Sequence, residues 1–153
     1  MDARRGGDSV ILLVEDNVDD VALTMRALDR ANIANEVLVA QDGAEALEML
    51  FGRYDEGLQP PALILLDLNL PKIGGLKVLS RVRADDRTKL IPTVILTSSA
   101  EQEDILAGYN HGANAYVRKP VKFSEFVSVV STLGMFWLLL NESPSVKQGT
   151  SQK

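Results

Sequence analysis

Five short apolar runs alternate with five helix-period segments, and this alternation restricts the chain to very few folds. The runs are VILLV at 10–14, EVLVA around Val37 and Val39, ALILL at 62–66, TVIL at 93–96 and AYV at 115–117. Each has the length of a strand and is bounded by polar or turn residues. The segments between them repeat apolar residues every three or four positions. Val18, Val21, Ala22, Met25 and Leu28 share one predicted face, as do Leu47, Leu50 and Phe51, then Leu76, Leu79 and Val82, then Ile105, Leu106 and Tyr109. A final segment, Lys122 to Asn141, is the longest. Strands that are apolar throughout are buried on both faces, so helices must cover both sides of a parallel sheet. Right-handed crossovers leave few doubly wound arrangements, and five strands in the order 2-1-3-4-5 suit a chain of 153 residues.

Composition narrows the function more than the fold. Apolar residues make up 46% and charged residues 24%, the balance of one globular domain. The expected organisation is a flexible arm at 1–8, one domain at 9–141 that includes a C-terminal helix extension, and a disordered tail at 142–153, where ESPSVKQGTSQK is polar. The polar GRYDEGLQPP at 52–61 reads as a surface insertion. There is no cysteine, which excludes disulfides and thiolate metal sites and fits a reducing cytoplasm. The one histidine, His111, argues against a zinc site or a Ser-His-Asp triad and reads as a solvated helix-end residue. MDARRGGD is followed by no signal-peptide core. The apolar run at 135–140 is far shorter than the ~20 residues a membrane span needs. A net charge of −5, with lysine and arginine concentrated nowhere, argues against nucleic acid as a partner.

Ligands of an open parallel sheet sit beyond the carboxyl ends of the strands, where strand order reverses. The first run leads into Glu15-Asp16, the third into Asp67, the fourth into Thr97-Ser98 and the fifth into Arg118-Lys119-Pro120. Strands one and three are neighbours in the expected order, so Glu15, Asp16 and Asp67 converge at one rim, with Thr97 and Lys119 beside them. Converging carboxylates repel unless their pKa values rise or a cation neutralises them. Oxygen donors without histidine or cysteine suit a hard ion, Mg2+ or Mn2+. A carboxylate is also a phosphoryl acceptor, and that transfer needs positive charge around the moving oxygens. Lys119 and the metal ion supply the charge, and the Thr97 hydroxyl supplies a donor. Asp67 is then the reactive group on the end of a rigid apolar strand.

The motifs LLVEDN, LLDLNLP, TSSA and YVRKP, in this order within residues 9–133, resemble the receiver domain of two-component response regulators. The resemblance implies a flavodoxin-like fold and a phosphoacceptor switch, not an enzyme, that assists its own phosphorylation and dephosphorylation. It implies Asp67 as phosphoacceptor and Asp16 as a direct metal ligand. Glu15 would act mainly through water, and Asn69 would give its backbone carbonyl to the metal. It further implies Thr97 as switch hydroxyl, Tyr116 as the coupled aromatic, and Lys119 as the phosphoryl-stabilising cation followed by a cis bond to Pro120. A sensor histidine kinase would be the donor. GMFWLLLNESP at 134–144, with VEDNVDD, narrows the resemblance to stand-alone regulators paired with bacterial phytochrome kinases. No second core for a DNA-binding unit is present, so output would come by protein contact or phosphorelay. One departure stands beside the rim. Where the family usually carries an acidic residue, Ile73-Gly74-Gly75 places Gly74, and the third helix loses a carboxylate N-cap.

Other readings fit less well. A receiver-like interaction module without phosphotransfer would not need the full acidic, hydroxyl and lysine set. A phosphatase of the haloacid-dehalogenase type needs a second acid two residues after its nucleophile, where this chain has Asn69. A flavin binder wants a phosphate loop after strand one, and Glu15-Asp16 would repel the phosphate. The last segment adds an assembly expectation. Phe123, Phe126, Val127, Val130, Trp137 and Leu138 form one stripe, enough to cover the sheet. Val129, Leu133, Phe136 and Leu140 form a second. A thicker core is one use for it. A homodimer interface built on Val129, Leu133, Phe136, Trp137 and Leu140 is the favoured one.

Overall fold

The five apolar runs form the strands of one parallel sheet. The computed structural model describes residues 10–97, 102–119 and 122–134. The elements follow in the order β1 (Val10–Val14), α1 (Val18–Arg30), β2 (Glu36–Ala40), α2 (Gly43–Asp55), β3 (Leu63–Leu66), α3 (Gly75–Ala84), β4 (Thr93–Thr97), α4 (Gln102–Asn110), β5 (Ala115–Arg118) and α5 (Phe123–Gly134). The sheet order is β2-β1-β3-β4-β5, as the alternation predicts. Val14 stands level with Ala40 on β2 and with Leu66 on β3. The residues that leave β1 and β3 therefore emerge together at one rim.

Strand alternation sorts the core into two layers. Leu12, Val14, Ile64, Leu66 and Ile95 point to one face and meet Leu47 and Leu50 of α2 and Val78, Leu79 and Val82 of α3. Ile11, Leu13, Leu63, Leu65, Val94 and Leu96 point to the other and meet Ala27 and Leu28 of α1 and Phe126 and Val130 of α5. Phe123 and Val127 pack against that second layer, which matches the first predicted stripe of the last helix. Val129 is half-buried. The Leu133 side chain, Phe136, Trp137 and Leu140 lie outside the described residues, as does any extension of α5 past Gly134. Among the described residues no helix is long and apolar enough to cross a membrane.

Two helix faces differ from the apolar spacing. On α1, Thr24, Ala27 and Leu28 are buried, while Val18 is 74% and Met25 39% exposed. A 3.6-residue turn lines up Val21, Thr24 and Leu28, and the small Thr24 and Ala27 let the helix sit close to the sheet; Val18, Ala22 and Met25 fall off that line. On α4, Leu106 and Tyr109 are exposed and Gly108 faces inward. A methyl group on Gly108 would come within 2.7 Å of Ile95 Cδ1 and 3.2 Å of the Tyr116 ring. A glycine on the contact face is invisible to a count of apolar side chains. The predicted surface insertion is also shorter than expected, because α2 continues to Asp55.

Candidate functional site

The sheet ladder extends one residue past β1 and β3 and thereby fixes two carboxylates. The Glu15 N–H donates to the Ala40 carbonyl at 2.9 Å, and the Asp67 N–H to the Val14 carbonyl at 3.1 Å. Both residues are buried, at 2% and 8% exposure, whereas Asp16 is exposed. One oxygen from each of Glu15, Asp16 and Asp67 lies within 4.8 Å of the others. The convergence expected from strand order is present.

Lys119 reaches the same place from the far side. Its N–H donates to the Thr97 carbonyl at 2.8 Å, which carries the β4–β5 ladder past Arg118. Its Nζ lies 2.5 Å from Glu15 Oε1, 3.0 Å from Asp20 Oδ2 and 3.8 Å from Asp67 Oδ2. Thr97 is fully buried at the end of β4. Tyr116 is half-buried on β5, and its N–H donates to Tyr109 Oη at 3.2 Å. Asn69 is exposed, with its N–H 3.4 Å from Asp67 Oδ1, a long contact. Ser98 and Pro120 lie outside the described residues, and with Pro120 the predicted cis bond.

The loop after Asp67 is held by its own backbone. Gly75 N–H donates to the Leu68 carbonyl at 3.0 Å. Gly74 occupies the N-cap of α3 and makes no side-chain cap bond, as the missing acid predicts. Lys72 takes the left-handed conformation (φ 67°), with its Nζ 3.4 Å from Asp42 Oδ2. That pair is exposed on the lysine side and contributes little.

Sequence reasoning missed Asp20. It stands third in α1 after the N-cap Asn17, whose side chain accepts from the Asp20 N–H at 2.9 Å. The signal was available: Asn17 followed three residues on by an acid is a helix-start pattern, and such an acid points back toward the strand ends. What sequence does not show is that Lys119 arrives within reach.

Electrostatics at the rim are uneven. Burial pushes the Glu15 carboxyl up to about 7, outweighing the Lys119 hydrogen bond that pulls it down, and the charge of Asp67 pushes the same way. Burial pulls Lys119 down, but its bonds to Glu15 and Asp20 carry it above its ordinary value. A raised carboxyl keeps in the native state a proton that the unfolded chain has released, so stability falls as pH rises from about 4.5 to about 7. Asp85, lowered to about 2 mainly by its hydrogen bonds with Arg87, acts in a separate acidic window, and Lys119 acts above pH 10.5. Urea unfolding of the metal-free protein is expected to show this decline, and Glu15→Gln to flatten it. A decline of undiminished slope in Glu15→Gln would assign it to another group.

Residues 11–131 match the response regulator receiver domain. The chain belongs to the receiver family. Receivers are phosphoacceptor switches rather than enzymes, and this one has relatives of similar length. It is 37% identical over 135 residues to the probable methanogenesis regulatory protein FilR2 of Methanothrix harundinacea (strain 6Ac), covering 88% of this chain and 87% of that one. It is 37% identical over 131 residues to response regulator Rcp1 of Synechocystis sp., covering 84% and 88%. The Mn(2+)-bound crystal structure of Rcp1 superposes with a TM-score of 0.78 at 34% identity, over 90% of this receiver and 99% of that chain. The phosphorylated cyanobacterial phytochrome response regulator RcpA gives a TM-score of 0.81 at 38% identity, over 90% and 99%. The bacteriophytochrome response regulator AtBRR gives 0.70 at 48% identity, over 88% and 98%. The receiver fold and two-component class expected from the motifs are therefore those of this chain.

Proposed function

We propose that this receiver is a single-domain response regulator that accepts a phosphoryl group on Asp67 from a sensor histidine kinase of the bacteriophytochrome type, in the cytoplasm, and signals by protein contact or phosphorelay. The observation that carries the reading is the Lys119 ammonium poised 3.8 Å from the Asp67 carboxylate inside a cluster of acids. An Asp67 oxygen attacks phosphorus, the phosphorus–nitrogen bond of the donor phosphohistidine breaks, and the leaving imidazole takes up a proton. The product is an acyl phosphate on Asp67. Lys119 balances charge on the transferred group, and the Thr97 hydroxyl donates to one of its oxygens. Movement of Thr97 toward the phosphoryl group lets the Tyr116 ring follow, which alters the surface at α4 and β5. The kinase class is supported by the likeness to RcpA and AtBRR.

The donor set fits a hard cation. It is all oxygen, and the three clustered carboxylates together carry more negative charge than the Lys119 ammonium beside them offsets. Glu15, Asp16, Asp67 and the Asn69 carbonyl would hold Mg2+ or Mn2+, which when bound supplies positive charge to the phosphoryl oxygens. Phosphotransfer from a phytochrome kinase, followed with and without Mg2+, tests the reading. Label should appear only with the metal. Asp16→Asn should raise the Mg2+ concentration required by about tenfold, the equivalent of ~1.4 kcal/mol for one charged ligand. An unchanged requirement would place the ion elsewhere.

The second stripe of the last helix, joined by Trp137 of the first, supports a two-fold homodimer through Val129, Leu133, Phe136, Trp137 and Leu140, in which one apolar patch meets its own copy. Phe136→Glu with Leu140→Glu should give monomers that still accept phosphate. Sedimentation of the unsubstituted protein as a monomer at roughly tens of micromolar would contradict the dimer.

A further inference from the structure

Three carboxylates share the Lys119 ammonium, and one of them, Asp20, stands outside the acidic cluster. Its placement has a local cause. An acid at this position of a helix ordinarily turns back to accept from the N-cap backbone N–H. Here the Asn17 N–H donates to Glu15 Oε2 at 3.2 Å instead. The Asp20 carboxylate is left to reach Lys119 at 3.0 Å. The result is graded. Glu15 and Asp20 both lie within hydrogen-bond reach of Nζ, and Asp67, at 3.8 Å, lies beyond it. The Asp20 side chain is 37% exposed against 2% for Glu15, so the bond to Asp20 is the one most screened by water and the easiest to break.

We propose that Asp20 is a positioning residue that holds Lys119 in reserve, off the acceptor, until a phosphoryl group on Asp67 competes for it. The inference rests on the phosphoacceptor role proposed for Asp67 and deepens it. A phosphoryl group brings more negative charge than one carboxylate and three strong acceptor oxygens, so it draws the ammonium from the weaker of its two hydrogen-bond partners. That partner is Asp20. A cation drawing on Glu15 and Asp67 leaves Asp20 as the one partner of Lys119 with no share in the metal, which makes the hold most important just before phosphate arrives. The side chain thus sets how much of the lysine's attraction is available to the modified state.

The test is the affinity of the full chain for beryllofluoride, which mimics a phosphoryl group on a carboxylate oxygen, at saturating Mg2+. Asp20→Asn keeps the backbone bond to Asn17 and should bind roughly three- to tenfold more tightly, the scale of one partly screened ion pair. Loss of a negative charge alone would also favour an anion, so Asp19→Asn is the matched control. Asp19 lies in the same helical turn and is not among the ion-pair partners of Lys119. It should show a clearly smaller gain, and Asp20→Glu should restore the original affinity. Titration of the Lys119 ammonium by NMR should move down in Asp20→Asn and hold in Asp19→Asn. Equal affinities for the Asp20→Asn and Asp19→Asn proteins would overturn the reserve role while leaving Asp67 as acceptor. An unsubstituted protein that binds no beryllofluoride would overturn the acceptor reading and the reserve role with it.

Discussion

Replacing Gly75 by alanine is expected to destabilise the protein by about 1–2 kcal/mol and to disturb the acceptor. In most helical positions the change would help, since alanine is favoured over glycine by ~1 kcal/mol. At Gly75 a methyl carbon would stand 2.2 Å from the Asp67 carbonyl oxygen and 2.7 Å from Leu68 Cα. Both are backbone atoms at the end of a buried strand and cannot swing aside as a side-chain tip would. Overpacking of this kind costs ~1–3 kcal/mol, which exceeds the propensity gain. Relief has to come by moving α3 or the strand end, and the strand end carries Asp67. The neighbouring glycine gives the contrast. A methyl on Gly74 would meet nothing nearer than the Leu68 carbonyl oxygen at 4.0 Å, and its backbone is extended at φ −68°. Gly74→Asp should therefore be tolerated and should add a few tenths of a kcal/mol by capping α3. Urea unfolding of the two variants measures the difference. A Gly75→Ala protein within about 0.5 kcal/mol of the original would show that the close approach relaxes freely.

Much of this arrangement is legible in the sequence because it follows from periodicity. Apolar runs without alternation identify strands buried on both faces, and the crossover rule then fixes which strand ends are neighbours. That is enough to bring Glu15, Asp16, Asp67 and Lys119 together before any coordinate is known. The parts that were not legible share a physical reason. Helix faces are chosen by fit as well as by polarity: Thr24, Ala27 and Gly108 win contact positions because they are small, while Val18 and Leu106 are left exposed. The role of Asp20 depends on where a lysine ninety-nine positions away comes to rest. Sequence supplies the helix-start pattern that aims the acid. Only the assembled sheet supplies its partner.

Asp67→Asn should abolish phosphate incorporation altogether and leave the fold intact. Asparagine keeps the shape of the side chain but offers no anionic oxygen to attack phosphorus, so the loss is one of chemistry. Removing one of the clustered charges also relieves repulsion at the rim, so the variant should be at least as stable as the original. Mass spectrometry of the protein after treatment with acetyl phosphate and Mg2+ reads directly whether Asp67 is the phosphoacceptor. One added phosphoryl group is expected, located in the peptide that carries residues 63–70 and missing from the Asp67→Asn protein. A phosphoryl group found on another peptide, or undiminished on the Asp67→Asn protein, would contradict that role.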